Sequence, residues 1–160
     1  MPEVILVMGP TGSGKTTVGA ALAARLGVPF LDADDFCPAE SRAKMTASIQ
    51  LTDEDRYPWL ETLNRELRRR AEPRIVLSCS AQKEVYRQRL LEGLPERRII
   101  HLCGSAELLR RRMEGRRGHF MPVSLLAGQI ALMEAPADCL SIHIGQPPAT
   151  IVEAAAAYCG

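Results

Sequence analysis

The sequence predicts a three-layer α/β fold: a parallel five-stranded sheet with helices on both faces and a small lid. Three observations carry the prediction. Short apolar runs without polar alternation recur along the chain. Each is followed by a stretch with helical spacing. A glycine-rich turn joins the first run to the first helical stretch. Strands buried on both faces read as unbroken apolar runs, and parallel neighbours need a crossover, usually helical, between them.

The elements follow in order. Val4-Ile5-Leu6-Val7-Met8 is rich in β-branched residues and ends at Gly9, as a buried strand does. Residues 16–26 set Val18, Ala21, Leu22 and Leu26 on one helical face, and Gly27 stops the helix. Pro29-Phe30-Leu31 is a short second strand, expected beside the first. Ile75-Val76-Leu77, Ile99-Ile100-His101-Leu102 and Leu140-Ser141-Ile142-His143-Ile144 complete the sheet. Helical patterns cover about 58–70, 83–91, 106–113, 122–134 and 148–158. Thr52 and Asp55 have the spacing of a helix-capping pair, but Pro58 follows closely. The expectation is a turn at Thr52, then either a new helix near Pro58 or a kinked one. Leu60, Leu63, Asn64 and Leu67 share one face there, and Arg68, Arg69 and Arg70 sit where positive charge suits a helix C-terminus. No repeat or linker divides the chain, so residues 1–160 are expected to form one domain, with the lid at about 112–122.

Composition narrows the partners. At 160 residues, 46% hydrophobic and 24% charged, the chain can bury one continuous core and is not of disordered type. A formal charge of +1 offers no bulk attraction to nucleic acid or to an anionic membrane, so neither partner is expected. No apolar stretch approaches the roughly 20 residues of a membrane span, and the N-terminus lacks the features of a signal peptide. A cytoplasmic location is expected. The five cysteines show no C-x-x-C spacing, which predicts reduced thiols and no cysteine metal site. Cys79 and Cys103 lie in or beside apolar runs. His101 and His143 lie within apolar strands and read as core histidines.

Gly9-Pro10-Thr11-Gly12-Ser13-Gly14-Lys15-Thr16 fits G-x-x-x-x-G-K-[ST] at every fixed position. Glycines let such a loop turn its N–H groups inward, and the helix that it opens favours negative charge at its start. Gly9, Thr11, Gly12, Ser13, Gly14, Lys15, Thr16 and Thr17 are therefore the candidate ATP site. Lys15 can reach the β- and γ-phosphates, and the Thr16 hydroxyl can ligate Mg²⁺. A glycine-rich turn that binds nothing is the plainer alternative. The strand before it and the helix after it favour the nucleotide.

Asp32-Ala33-Asp34-Asp35 follows the second strand, in the crevice where open α/β sheets bind ligands. If the strand continued, Asp32 and Asp34 would point one way and Asp35 the other. One carboxylate could hold Mg²⁺ through water and another accept the proton of an attacking hydroxyl. The alternative is an acidic turn capping the next helix. Ser78-Cys79-Ser80 ends the third strand with no acid where a Walker-B carboxylate often sits. Its hydroxyls either contact magnesium-bound water or cap the helix that follows. Arg110-Arg111-Arg112-Met113-Glu114-Gly115-Arg116-Arg117-Gly118-His119-Phe120 reads as a basic lid with glycine hinges, able to stabilise a transferring phosphoryl group, or as a solvated basic turn. His119 and Phe120 would pack the lid. Leu125, Leu126, Ile130, Leu132 and Met133 read as core.

Taken together, these motifs resemble the small gluconokinases, relatives of shikimate and nucleoside monophosphate kinases. Besides the P-loop, the resemblance rests on Phe30-Leu31-Asp32-Ala33-Asp34-Asp35, Lys44-Met45, and Leu51-Thr52-Asp53-Glu54-Asp55-Arg56-Tyr57-Pro58-Trp59-Leu60. It also rests on Cys79-Ser80-Ala81-Gln82-Lys83-Glu84-Val85-Tyr86-Arg87, Arg116-Arg117-Gly118-His119-Phe120 and Gln146-Pro147. It implies a P-loop kinase fold and transfer of phosphate from ATP to D-gluconate, giving 6-phosphogluconate, with Mg²⁺. Asp32 then resembles the metal-side or base carboxylate and Asp34 its partner near the substrate hydroxyl. Lys15, Asp32, Asp34 and Arg116 become the catalytic set. Arg112 and Arg116 would form the lid clamp, and Gln146 and Pro147 join the nucleotide site. Arg56, Lys83 and Arg87 resemble substrate-side cations. A guanidinium suits a sugar-acid carboxylate, although Arg56 could instead pair with Asp53 or Asp55. Relatives are often dimers, which leaves a homodimer open.

The departures from the family cluster. The family usually reads D-x-D-x-x-H-P, N-x-x-K-M, G-x-P-L and C-S-A-L-K. Here the histidine is Cys37, the asparagine Ser41, the glycine Ser48, the proline Gln50 and the last leucine Gln82. Four of these lie between the two substrate-side segments, so this chain differs in acceptor recognition rather than nucleotide chemistry. The alternatives are a kinase for another small molecule (shikimate-like, sugar acid or nucleoside) and a catalytically silent nucleotide-binding module. Asp32, Asp34, Lys15 and the lid arginines favour the enzyme.

Overall fold

A computed structural model describes residues 1–115 and 122–160. Arg116, His119 and Phe120, and with them most of the expected lid, lie outside the described residues. The chain runs β1 (Glu3–Met8), α1 (Lys15–Leu26), β2 (Phe30–Asp32), α2 (Ala39–Thr46), α3 (Asp53–Arg69), β3 (Arg74–Ser78), α4 (Glu84–Leu90), β4 (Arg97–Cys103), α5 (Ala106–Glu114), α6 (Leu126–Ala131), β5 (Leu140–His143) and α7 (Pro148–Cys159). Short 3-10 turns cover Ala33–Phe36 and Val123–Leu125.

The strands form one five-stranded sheet in the order β2-β3-β1-β4-β5, every pairing parallel. The expected α/β class is borne out, and one detail of order is corrected. β2 does not lie beside β1, because β3 fills the position between them, with Asp32 opposite Ser78 and Ser78 opposite Val7. A crossover helix can pass over a slot that a later strand occupies, and hydrophobic period carries no information about that choice.

β1 is buried on both faces, as its unbroken apolar run implied. Ile5 and Val7 enter a core with Val18, Leu22, Leu109 and Ile151, from α1, α5 and α7. Val4, Leu6 and Met8 enter the opposite core with Leu60, Leu63 and Leu67 of α3 and Leu90 of α4. This is the two-residue period of a strand feeding two layers.

α3 starts at Asp53, under a complete capping box. The Asp55 amide donates to Thr52 Oγ1 at 3.1 Å, and the Thr52 amide donates to Asp55 Oδ2 at 2.9 Å. The helix runs on through Pro58 instead of beginning there. An interior proline costs a helix about 3 kcal/mol. Burying Leu60, Leu63 and Leu67 on one stripe contributes about 1.5–3 kcal/mol each, which outweighs it.

α2 has no counterpart among the predicted helices. Its buried positions are Ser41 and Met45, too few and too polar to give a hydrophobic period. The expected 122–134 helix is shorter, a 3-10 turn followed by α6. His101 is a buried histidine as expected, and burial lowers its pKa. His143 is not a core residue. It stands exposed on β5, an edge strand, and its Nδ1 accepts from the Gly145 amide at 3.0 Å. Among the described residues, no helix is long and apolar enough to cross a membrane.

Candidate active site

The turn between β1 and α1 is built on left-handed glycines. Gly12 has φ 88° and Gly14, the residue that opens α1, has φ 90°. A side chain at Gly12 would also stand 3.0 Å from the Leu109 carbonyl oxygen and Met113 Cγ of α5. Lys15 Nζ donates to the Pro10 carbonyl at 3.2 Å, and the Ser13 amide closes the turn on that same oxygen at 3.1 Å. The helix start and the loop together face a cavity of about 300 Å³.

Asp32 ends β2 against this loop. Thr16 Oγ1 donates to Asp32 Oδ2 at 2.8 Å, and the Asp34 amide donates to Asp32 Oδ1 at 2.9 Å. The carboxylate therefore both meets the P-loop hydroxyl and caps the following turn, the capping role being one of the two readings the sequence offered. Asp34 lines the cavity and Asp35 is exposed, the outcome expected, but for another reason. The strand does not continue. The 3-10 turn at Ala33–Phe36 separates the two side chains. A hydroxyl and a carboxylate in contact are hard oxygen donors. They fit Mg²⁺, which takes few protein oxygens and fills its remaining positions with phosphate and water.

The cations that the resemblance puts on the substrate side, Arg56, Lys83 and Arg87, come from α3 and from α4 with its N-cap. Arg56 is only 7% exposed and lines the cavity. Its Nη1 donates to the Leu51 carbonyl at 2.7 Å and to Tyr86 Oη at 3.3 Å. Among the described residues, neither carboxylate considered as its partner hydrogen-bonds to it or forms a contact ion pair with it, although its charge helps keep Asp53 ionised. Asp53 accepts from Tyr86 Oη at 2.5 Å and pairs with Lys83 at 3.2 Å, and these bonds lower its pKa. Asp55 pairs with Lys44 at 2.8 Å and is pulled down to about 2.

Several candidates stand elsewhere. Lys83 opens α4, held by Asp53 and lying 5.6 Å from the Tyr86 ring centre, outside the cavity wall. The structure does not bring Arg87 to the cavity. It is 2% exposed and donates to the carbonyls of Ala81 at 2.6 Å, Gln82 at 3.1 Å and Glu134 at 2.8 Å. Ala81 holds φ 44°, so Arg87 clamps a strained turn beside the cavity. Neither Ser78 nor Ser80 caps α4, whose Glu84 amide is taken by Glu134 Oε1 at 2.9 Å. Ser78 Oγ is buried with no partner among the described residues and lines the cavity.

On the nucleotide side, Thr11, Gly12, Gly14, Lys15, Thr16 and Thr17 line the cavity, while Gly9 and Ser13 lie buried behind them. Arg112 also lines it, bonded through Nη2 to the Ile144 carbonyl at 2.7 Å, with Nη1 3.8 Å from where a Gly14 side chain would start. Gln146 bonds the His143 carbonyl at 3.0 Å and Pro147 precedes α7, both off the cavity wall. Arg116 lies outside the described residues.

Sequence reasoning gave no site role to Trp59, Tyr86 or Gln129, all of which line the cavity. Trp59 and Tyr86 sit in the most particular motifs, which was a usable signal. Gln129 was legible only as a polar residue among Leu125, Leu126 and Ile130.

A family model described as an AAA domain matches residues 4–136. A probable gluconokinase of Rattus norvegicus is 44% identical, over 84% of this chain and 84% of that protein. The chain belongs to the gluconokinase family. The thermosensitive gluconokinase of Escherichia coli is 40% identical over 94% of this chain and 84% of its own length. The crystal structure of a gluconokinase from Sinorhizobium meliloti superposes with a TM-score of 0.87 at 42% identity, covering 98% of this chain and 90% of that one. Family and fold together make the chain a small-molecule kinase of an ATP-binding family.

Proposed function

We propose that this enzyme transfers the γ-phosphoryl group of ATP to the 6-hydroxyl of D-gluconate, with Mg²⁺ as cofactor, releasing ADP and 6-phosphogluconate. The observation that carries the reading is that one cavity is lined at once by Lys15 of the P-loop, by Asp34 and by the buried Arg56. The gluconokinase names of its relatives supply the acceptor.

The chemistry then divides among the residues. Arg56 grips the acceptor carboxylate with a planar fork that matches two oxygens. Asp34 takes the proton as the hydroxyl oxygen bonds to the γ-phosphorus. The bond from that phosphorus to the β–γ bridging oxygen breaks, and Lys15 neutralises charge on the phosphates. Thr16 and Asp32 would hold Mg²⁺, which when bound neutralises the β- and γ-phosphate oxygens. Arg112 and Arg116 add positive charge from the lid side. A cytoplasmic location goes with the reading, since ATP is supplied there.

The test is ADP release from Mg-ATP with and without D-gluconate, using Lys15→Ala as the blank. Gluconate-dependent release, absent in the variant, with phosphate found on the terminal hydroxyl by ³¹P NMR, is expected. ATP binding without release on gluconate would overturn the acceptor assignment.

A further inference from the structure

Gln82 and Gln129 form a buried amide pair on the cavity wall. Gln82 Nε2 donates to Gln129 Oε1 at 2.6 Å. The two residues are 3% and 4% exposed, and both line the cavity. Among the described residues, Gln82 Oε1 and Gln129 Nε2 have no protein partner. Neither atom is sealed from the cavity, so both stand open there to a ligand or water.

The pair is also rigidly mounted. The Glu134 amide donates to the Gln82 carbonyl at 2.8 Å, and Arg87 binds the carbonyls of Gln82 and Glu134 at 3.1 and 2.8 Å. The backbone of the β3–α4 loop and of the segment after α6 is thereby tied together beneath the pair.

What remains open is a carbonyl oxygen on one amide of the pair and a nitrogen with protons to give on the other. A hydroxyl satisfies both, donating to Gln82 Oε1 and accepting from Gln129 Nε2. Phosphate and carboxylate oxygens only accept, and would leave Gln82 Oε1 unpaired. We propose that Gln82 and Gln129 together bind one hydroxyl of the acceptor and set a preference for a polyhydroxylated substrate over its deoxygenated analogue. The leucine usual at position 82 in the family could make no such contact. The proposal rests on the reading of this cavity as a sugar-acid site.

The test uses wild type, Gln82→Leu, and the double variant Gln82→Leu with Gln129→Leu, assayed on D-gluconate and its monodeoxy analogues. Replacing both amides removes the orphaned group, so the double variant separates recognition from stability. The wild type is expected to discriminate against one deoxy analogue. Both variants should raise KM for gluconate about tenfold and leave it unchanged for that analogue and for ATP. Turnover of gluconate by wild type, with the same KM and the same analogue ranking in both variants, would overturn the proposal and leave the acceptor reading intact. A KM defect in Gln82→Leu that follows a lowered Tm and disappears in the double variant would also overturn it. If the wild type phosphorylates no sugar acid, the acceptor reading fails and the proposal with it.

Discussion

Arg56 Nη1 donates to the phenolic oxygen of Tyr86 at 3.3 Å, and that phenol in turn donates to Asp53 at 2.5 Å. Burial and the Asp53 hydrogen bond push the Tyr86 pKa up to about 12, so the phenol keeps its proton throughout the working range. The hydroxyl is thus a hinge between a cavity guanidinium and an ion pair on the outside of α3. Tyr86→Phe removes both bonds and keeps the ring. We expect KM for the acceptor to rise about five- to tenfold, matching roughly 1 kcal/mol, with KM for ATP unchanged. An equal rise in both constants would mean that Arg56 does not depend on this phenol.

Arg87 gives a prediction that separates two roles. The resemblance makes it a substrate cation, whereas the structure gives its donors to the Ala81, Gln82 and Glu134 carbonyls and to the Glu84 carboxylate. Lysine keeps the charge but not the planar fork. Arg87→Lys should therefore lose about 2–4 kcal/mol in urea unfolding, since two buried carbonyl bonds and a part-buried one are weakened together. Acceptor KM should rise with that loss, as the loop bearing Gln82 loosens. A variant with wild-type stability and a raised acceptor KM would instead restore direct contact with substrate.

How much of this was legible beforehand depends on the kind of signal. The P-loop and β1 were fully readable, because glycine spacing and an unbroken apolar run each have one structural meaning. Residues 33–36 were half readable. The acids showed, but the 3-10 turn that aims Asp32 and Asp34 into one cavity depends on hydrogen bonds to Asp32, which no periodicity reports. α2 was invisible because only Ser41 and Met45 are buried on it. Arg87 and Gln129 were misjudged or missed for a common reason. A polar side chain looks the same in sequence whether it meets substrate, a carbonyl or another amide.

Acid stability offers a third check, at the start of α3. Asp55 is held at about 2, below the ordinary aspartate value of 3.8, first by Lys44 and then by the Thr52 amide. A depressed folded-state pKa contributes stability that is present above the unfolded value and lost as pH falls through the folded value. The window is therefore about pH 4 down to about 2. Lys44→Met should lower the urea midpoint at pH 6, and the gap from wild type should close as pH approaches 2. A gap that stays constant over that range would assign the effect of Lys44 to something other than Asp55.

Cys37 stands where the family usually has a histidine, and its surroundings decide what kind of thiol it is. It packs against the cluster of Met45, Leu51 and Leu125, and its thiol faces the Pro38 carbonyl at 3.6 Å. Burial pushes its pKa up to about 11, with Arg42 opposing and Asp34 adding to the shift. At pH 8 only about one molecule in a thousand would carry the thiolate, the form that reacts. Alkylation of Cys37 by iodoacetamide, followed by peptide mapping, should therefore be slow at pH 8 and rise about tenfold per pH unit up to pH 10. Fast labelling that levels off below pH 9 would identify an activated thiol instead. Because Cys37 packs half-buried against an apolar cluster and does not line the cavity, Cys37→Ala should change acceptor KM less than twofold while lowering Tm slightly by the loss of a partly buried thiol. Replacing the thiol with a chargeable imidazole is the opposite perturbation. In Cys37→His the ring must either leave this cluster or stay neutral within it, so its stability should fall further below wild type as pH drops through 6.5.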